Sequence, residues 1–428
     1  MSVKSTKPFN TGSGIFLPDL QRFLQHSQIS FADSGSVDAF TRLRVSETAN
    51  LFDSQLTYDL APLQFEQITS GTGATVTHDA TNRCAIMTFT DTPNEGKAYM
   101  QSYEYIPYQP GRSQLAFITF NFHEGVAGAT KFAGLSDGVD GIEFRNENGT
   151  NQVRIWSSTD SGVQTIPQSQ WNIDKLDGNG ISKATLDITK DQILVIDLQA
   201  LYVGRVRVGF DINGIPYYVH EFNHANIFDH PYLSRATLPI RCGMQATATV
   251  STTMNFICSS VASEGGAPSP SGRSFIARST VSVASEARTH AMSIRPKLLF
   301  NGFTNRSLFQ LESVDVIALG NNSLEYDISL GQALSGTTTF ADVNTAYSAF
   351  EVNTAGTLDG TPALSFAGGY APATGNSKGA IKADLTQRYP ITLNQAGQHR
   401  DMGTINIAMA GIGGSTTARL TTTWREVR

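Results

Sequence analysis

The sequence predicts an all-β protein. Three observations carry that reading. From about residue 61 onward, apolar, aromatic and β-branched residues recur with a period of two rather than 3.6. Asx-Gly pairs at Asp137-Gly138, Asp140-Gly141, Asn148-Gly149, Asp177-Gly178, Asn179-Gly180 and Asn213-Gly214 fall between those runs, which favours hairpins over βαβ units. Only one short stretch, residues 19–26, has helical spacing.

Taken in chain order, residues 1–60 read as an extended polar arm punctuated by Pro8, Gly12, Gly14 and Pro18. Within it, Leu20, Phe23 and Leu24 stand at i, i+3, i+4 behind Pro18, which predicts a short helix. Helices below about 12–15 residues are marginal alone, so this one needs a surface to pack on, including that of another chain. Residues 61–260 read as a β domain, with strands at 115–122, 153–156 and 184–189. The run 192–198 is almost wholly apolar and reads as a central strand buried on both faces. Around Asn213-Gly214 the pattern specifies a hairpin register. Ile212 faces Ile215, Phe210 faces Tyr217 and Val208 faces Val219, with Arg207 opposite His220 and Asp211 opposite Pro216. Residues 261–285 read as a linker, on the Ser-, Gly- and Pro-rich composition around 259–272. Residues 286–428 return to strands, at 297–300, 313–319 and 404–409, ending in an alternating segment at 419–427.

Length and composition bound the function. The chain has 428 residues, room for two or three domains. Its net charge of −6 argues against a nucleic-acid binder, which carries a basic excess. Three cysteines, Cys84, Cys242 and Cys258, with no CxxC pair, exclude a disulfide scaffold and a four-cysteine zinc module. They read as reduced, buried thiols. No window approaches 18 consecutive apolar residues, so no membrane insertion is expected, and the first residues lack a secretory apolar region. A soluble chain made in a cytoplasm is expected.

One motif suggests chemistry. His220-Glu221-Phe222-Asn223-His224 matches H-E-x-x-H, with His230 near a third ligand position. That zinc-protease chemistry needs a helix, so that both imidazoles share one face and the glutamate activates a metal-bound water. Here Pro216 and the strand-like Tyr217-Tyr218-Val219 contradict a helix. On a strand the two histidines would stand roughly 13 Å apart at about 3.3 Å per residue. His220, Glu221 and His224 therefore read as a decoy, and no metal, cofactor or catalytic residue is assigned. Gly411-Ile412-Gly413-Gly414 lacks the context of a dinucleotide site. Asp137, Asp140, Asp174 and Asp177 read as turn acids rather than calcium ligands. Trp156, Trp171, Tyr103, Tyr105 and Tyr108 are candidates for stacking on a sugar, against the plainer reading of core or rim packing.

Two stretches carry a family resemblance. The first is residues 37–46, Val-Asp-Ala-Phe-Thr-Arg-Leu-Arg-Val-Ser, followed by Leu51-Phe52-Asp53-Ser54-Gln55. The second is residues 192–210, running on through His220–Asn226. Together they resemble a family of virion structural proteins of tailed bacteriophages. Weaker matches are Ser293–Lys297 and Trp424-Arg425-Glu426. The resemblance implies a concanavalin- or lectin-like jelly-roll β-sandwich over 61–260 and a structural rather than enzymatic role in the virion; the strands over 286–428 read as a second, C-terminal β-sandwich. That role would lie in the tail, baseplate or fibre, or on the head surface.

Under that reading the arm is the docking element. Arg42 and Arg44 would present two guanidiniums on one strand face, for acids of a neighbouring chain. The alternative is a strand folded back on its own sandwich. Phe23, Leu24, Phe40, Arg42, Arg44, Phe52 and Asp53 are the candidate assembly residues. The implied partners are other virion structural proteins and further copies of this chain, a trimer by analogy. Two further classes stay open: a module binding a host surface glycan for attachment, and a polysaccharide or peptide hydrolase.

Overall fold

The computed structural model describes residues 14–17, 22–25, 37–40, 43–44, 48–107, 109–199, 201–235, 237–265, 272–373, 381–384, 388–389 and 391–428. The chain is all-β, 57% strand and 1% helical, and its strands pair antiparallel throughout.

Two sheets face each other in the first sandwich. One has seven strands, in the order Gln164–Pro167, Thr150–Trp156, Gly141–Glu147, Ala129–Ser136, Ile240–Ala246, Lys97–Ser102, Phe65–Ser70. The other runs Ile215–Phe222, Val206–Ile212, Gln192–Gln199, Ser113–Asn121, Val250–Glu264, Cys84–Thr92, Ala74–Asp79, and Thr48–Gln55 pairs with Val250–Glu264. Alternation along each strand sends one set of side chains inward. Ile142 and Phe144, Val153 and Ile155, and Leu194, Ile196 and Leu198 enter one core. Its centre is aromatic: Phe144 stacks on Phe122 at 5.5 Å and meets Phe210 edge-on at 5.0 Å, geometries that aromatic quadrupoles favour.

A second sandwich follows. One of its sheets holds Arg273–Val283, Thr416–Val427, Leu308–Ala318 and Ile381–Asp384, with Arg388–Tyr389 also on Leu308–Ala318. The other holds Ala341–Asp342, Phe350–Asn353, Thr289–Pro296, Ile405–Gly411, Leu324–Leu330 and Leu364–Ala371. Phe309 and Trp424, 5.9 Å apart, fill its core. The two sandwiches touch. Tyr99 donates its hydroxyl hydrogen to Gln395 Oε1 (2.7 Å), the Gln395 amide donates to Glu66 Oε2 (2.7 Å), and the Arg306 guanidinium lies 4.4 Å from the Tyr105 ring centre.

The structure departs from the sequence reading at five points. Residues 184–189, read as a strand, form none: Thr185 makes a single bridge to Asp177, and Asp187 turns the chain by accepting from the Thr189 amide (3.0 Å). Arg22–Gln25, inside the expected helix, is a strand paired with Gly14–Leu17; the remainder of that helix lies outside the described residues. A stripe of three apolar residues is too little to hold a helix, and pairing satisfies the same backbone groups. Thr48–Gln55, assigned to the arm, is a sandwich strand. Arg273–Val283, assigned to the linker, pairs along its whole length with Thr416–Val427. In the 206–222 hairpin, Ile212–Ile215, Asp211–Pro216 and Phe210–Tyr217 pair as the pattern specifies. A bulge between Val208 and Gly209 then sets Val208 opposite His220 and Arg207 opposite Glu221.

Candidate functional site

The outward face of each sheet in the first sandwich carries a charged cluster. On the eight-stranded sheet, the cluster grows from the one acid in an apolar run. Gln192–Gln199 is central, as its composition indicates, and Asp197 alternates with its core residues to point outward. The register sets it beside Arg207, and both are 0% exposed. Arg207 Nη2 donates to Asp197 Oδ2 (2.5 Å), and Tyr218 donates its hydroxyl to the same oxygen (2.9 Å). Ser113 Oγ donates to Oδ1 (2.8 Å). The Arg207 guanidinium lies 4.0 Å from the centre of the Tyr218 ring.

Residues 37–40 and 43–44 cover this cluster. Arg44 Nη2 donates to Asp197 Oδ2 (2.7 Å), and its Nε stands 2.6 Å from Glu264 Oε1. Val37 O accepts from Arg207 Nη2 (2.9 Å), and Ala39 O accepts from Arg205 Nη2 (3.1 Å). The Ala39 amide donates to Ser113 Oγ (3.2 Å). Burial first, and the Asp197 charge second, raise the Glu264 carboxyl, with Arg44 opposing them. Burial likewise pushes the Tyr218 phenol up, so it stays a donor. Two guanidiniums meet two carboxylates, the balance a buried ionic group needs. Residues 37–40 and 43–44, the described part of segment 37–44, thus form a strap across the sheet.

The candidate assembly residues separate accordingly. Arg44 pairs with acids of its own chain. Phe52 lies in the core, edge-on to Phe65 at 5.9 Å, and Asp53 is exposed and accepts from Asn50 Nδ2 (2.6 Å). Phe40 is half-buried within the strap, its amide donating to Asp38 Oδ1 (2.9 Å). Phe23 and Leu24 fall in the short hairpin, with side chains outside the described residues, as is Arg42. Asp197, Arg207 and Glu264 were absent from the sequence-based set. The signal present in the sequence was a lone acid, Asp197, inside an apolar run read as buried on both faces.

The H-E-x-x-H stretch is extended, with His220 in the strand Ile215–Phe222 and His224 beyond its end. His220 Nδ1 accepts from the Asn172 amide (3.2 Å). His224 Nδ1 lies 2.8 Å from Gly204 O, and its ring stacks on Tyr232 at 4.0 Å. Burial lowers both imidazoles, His220 to about 4. Glu221 pairs with Arg205 (3.2 Å). The turn acids cap loops: Asp137 accepts from the Asp140 amide, Asp174 from Leu176 and Ser182, Asp177 from Asn179. Asp140 accepts from Ser158 and Ser234. Among the described residues no three His, Cys, Asp or Glu side chains group as a metal site.

The seven-stranded sheet presents a different face. Alternation sends Glu143, Arg145 and Glu147 outward from Gly141–Glu147, Arg154 and Trp156 from Thr150–Trp156, and Arg241 from Ile240–Ala246. Of the five aromatic candidates, Trp171 and Tyr105 are buried, Tyr103 lies toward the second sandwich, and Tyr108 is outside the described residues; half-buried Trp156 stands on this face. Trp156 Nε1 donates to Glu143 Oε2 (2.7 Å), and the guanidiniums of Arg154 and Arg145 lie 4.8 and 5.1 Å from its ring centre. Glu147 Oε2 accepts from Arg154 Nη2 (2.9 Å) and Gln152 Nε2 (2.5 Å). Arg145 stands 3.8 Å from Glu143 and 4.0 Å from Glu147, beyond hydrogen bonding. Its Nε and Nη1, and Nε of Arg241, are buried with no hydrogen-bond partner. Arg241 rests on aromatic rings, Tyr99 at 4.3 Å and Phe132 at 5.1 Å. A buried donor left unpaired costs about 1–3 kcal/mol.

No family model matches the chain, and no curated protein does. Solved structures similar to it include a cellulose-induced protein, at 12% identity and TM-score 0.34, covering 49% of this chain and 96% of that one. A carbohydrate esterase from the Shiga toxin-encoding bacteriophage phi24B aligns at 9% identity and TM-score 0.31, covering 50% and 99%. A pseudo β-1,3-glucanase of Mycobacterium tuberculosis aligns at 11% and 0.32, covering 50% and 98%. Likenesses this distant carry no argument about what this chain does.

Proposed function

We propose that this chain is a non-catalytic structural protein of a tailed-bacteriophage virion, which assembles through the residues that precede its strap. One observation supports the reading most. The two sequence stretches that carry the family resemblance are the two halves of one buried lock: Arg44 from the first reaches Asp197 of the second, and Val37 and Ala39 accept from Arg207 and Arg205. Such a lock fixes where an arm leaves a domain and performs no turnover. The arm then joins neighbouring copies or other virion proteins, with a trimer as the expected assembly. The test is a chain lacking residues 1–36. It is expected to keep its thermal transition, because the strap remains, and to be missing from particles grown on a host that supplies only this variant. Normal incorporation would overturn the proposal.

A second reading, a glycan-binding module for host attachment, is favoured by one feature. Trp156 offers a half-exposed ring beside guanidinium donors that have no acceptors.

A further inference from the structure

The outward face of the seven-stranded sheet is short of one negative charge. Three guanidiniums, Arg145, Arg154 and Arg241, and the Lys97 ammonium stand there with three carboxylates, Glu143, Glu147 and Glu66, on a chain whose net charge is −6. Glu147 is engaged by Arg154 and Gln152, and Glu143 by Trp156. Arg145 is 8% exposed, yet Nε and Nη1 donate to nothing, and Arg241 has aromatic rings beneath it and no carboxylate partner among the described residues. The two strands bearing these arginines flank Ala129–Ser136, where Gly134 lies opposite both Glu143 and Arg241, so no side chain rises between the two.

We propose that this face binds a sugar ring bearing a carboxylate, such as a uronic or sialic acid residue. The inference deepens the glycan-binding reading and rests on it. A carboxylate offers two oxygens in one plane, the acceptor geometry that a guanidinium fork matches. One carboxylate also supplies the single charge the face lacks, whereas a phosphate dianion would overfill it. The Trp156 ring supplies the flat apolar surface on which a pyranose face packs. At the Tyr99 end the same sheet is closed by Gln395 of the second sandwich, so the ligand enters from the Trp156 end.

Tryptophan fluorescence of the full chain reads this directly. Of its three tryptophans, Trp171 and Trp424 are buried in the cores, so a ligand that reaches the surface perturbs Trp156. The probes are a galacturonic acid trimer, a sialic acid trimer, neutral maltotriose and inorganic phosphate. At least one acidic trimer is expected to give a saturable change that Trp156→Phe abolishes; whichever of the two responds identifies the sugar. Arg145→Gln and Arg241→Gln are each expected to weaken binding about tenfold or more, the loss of one charged hydrogen bond. Should Arg145→Gln fold poorly, Arg241→Gln, at a less buried position, carries the test. An equal response to maltotriose would overturn the acidic-sugar proposal and leave glycan binding standing. Tighter binding of phosphate, or full affinity in Arg241→Gln, would also overturn it. No response to any sugar would overturn both.

Discussion

The two outward faces of the first sandwich are built from the same residue types and come to opposite ends. On the eight-stranded sheet, Arg44 and Arg207 meet Asp197 and Glu264, each Asp197 oxygen is engaged, and a strap seals the cluster. On the seven-stranded sheet, Arg145 and Arg241 have no carboxylate within hydrogen-bonding distance among the described residues. A closed ionic network fixes backbone; an open one leaves donors for the acidic sugar proposed above. Composition alone cannot separate them, because both are arginines and acids alternating with a core strand.

The contrast can be broken most forcefully at Asp197. Asp197→Ala strands two buried guanidiniums, and is expected to cost about 3–5 kcal/mol of unfolding free energy, read by urea denaturation. Arg44→Ala removes the strap side of the same network. Arg44 is partly exposed, so a smaller loss of about 2 kcal/mol is expected, with faster amide exchange over residues 37–44. A comparable term comes from acid. Burial holds the folded His220 near 4, below its ordinary 6.5. The unfolded chain therefore binds the proton first. Stability from this group is full above pH 6.5 and lost as pH falls through about 4, on the order of 2 kcal/mol. Denaturation midpoints across that window, with His220→Gln as the flattened control, measure it. The smallest effect is expected on the open face. Arg241→Met removes a charge that lacks an acceptor, so stability should hold or rise by up to about 1 kcal/mol. A loss as large as that of Asp197→Ala would erase the distinction between the faces.

Much of the fold was legible in the sequence because its signals are local. The hairpin at Asn213-Gly214, the central strand 192–199 and the terminal strand each follow from alternation and turn chemistry within a few residues. The bulge at Val208 was not legible, because neither the alternation nor the turn chemistry of the hairpin marks it. Arg273–Val283 was hidden for a similar reason. Its alternation is weak and polar, and its partner, Thr416–Val427, lies far along the chain. The lock was half legible. Arg44 stood out as an arm cation, but its acids are distant in sequence, Asp197 inside an apolar run and Glu264 at the edge of what read as a linker. The open face was the least legible. Glu143, Arg145 and Glu147 look like any solvated strand edge until the register sets Arg154, Trp156 and Arg241 beside them.

The central claim, that the 37–44 strap is bound to its own sandwich through one shared carboxylate, is tested most directly by a double-mutant cycle on Arg44→Ala and Asp197→Asn. Unfolding free energies of the wild type, both single variants and the double variant give the coupling. A shared ion pair requires a coupling energy within about 0.5–3 kcal/mol. Strict additivity would mean that the strap does not hold to Asp197 in solution, and would contradict the lock.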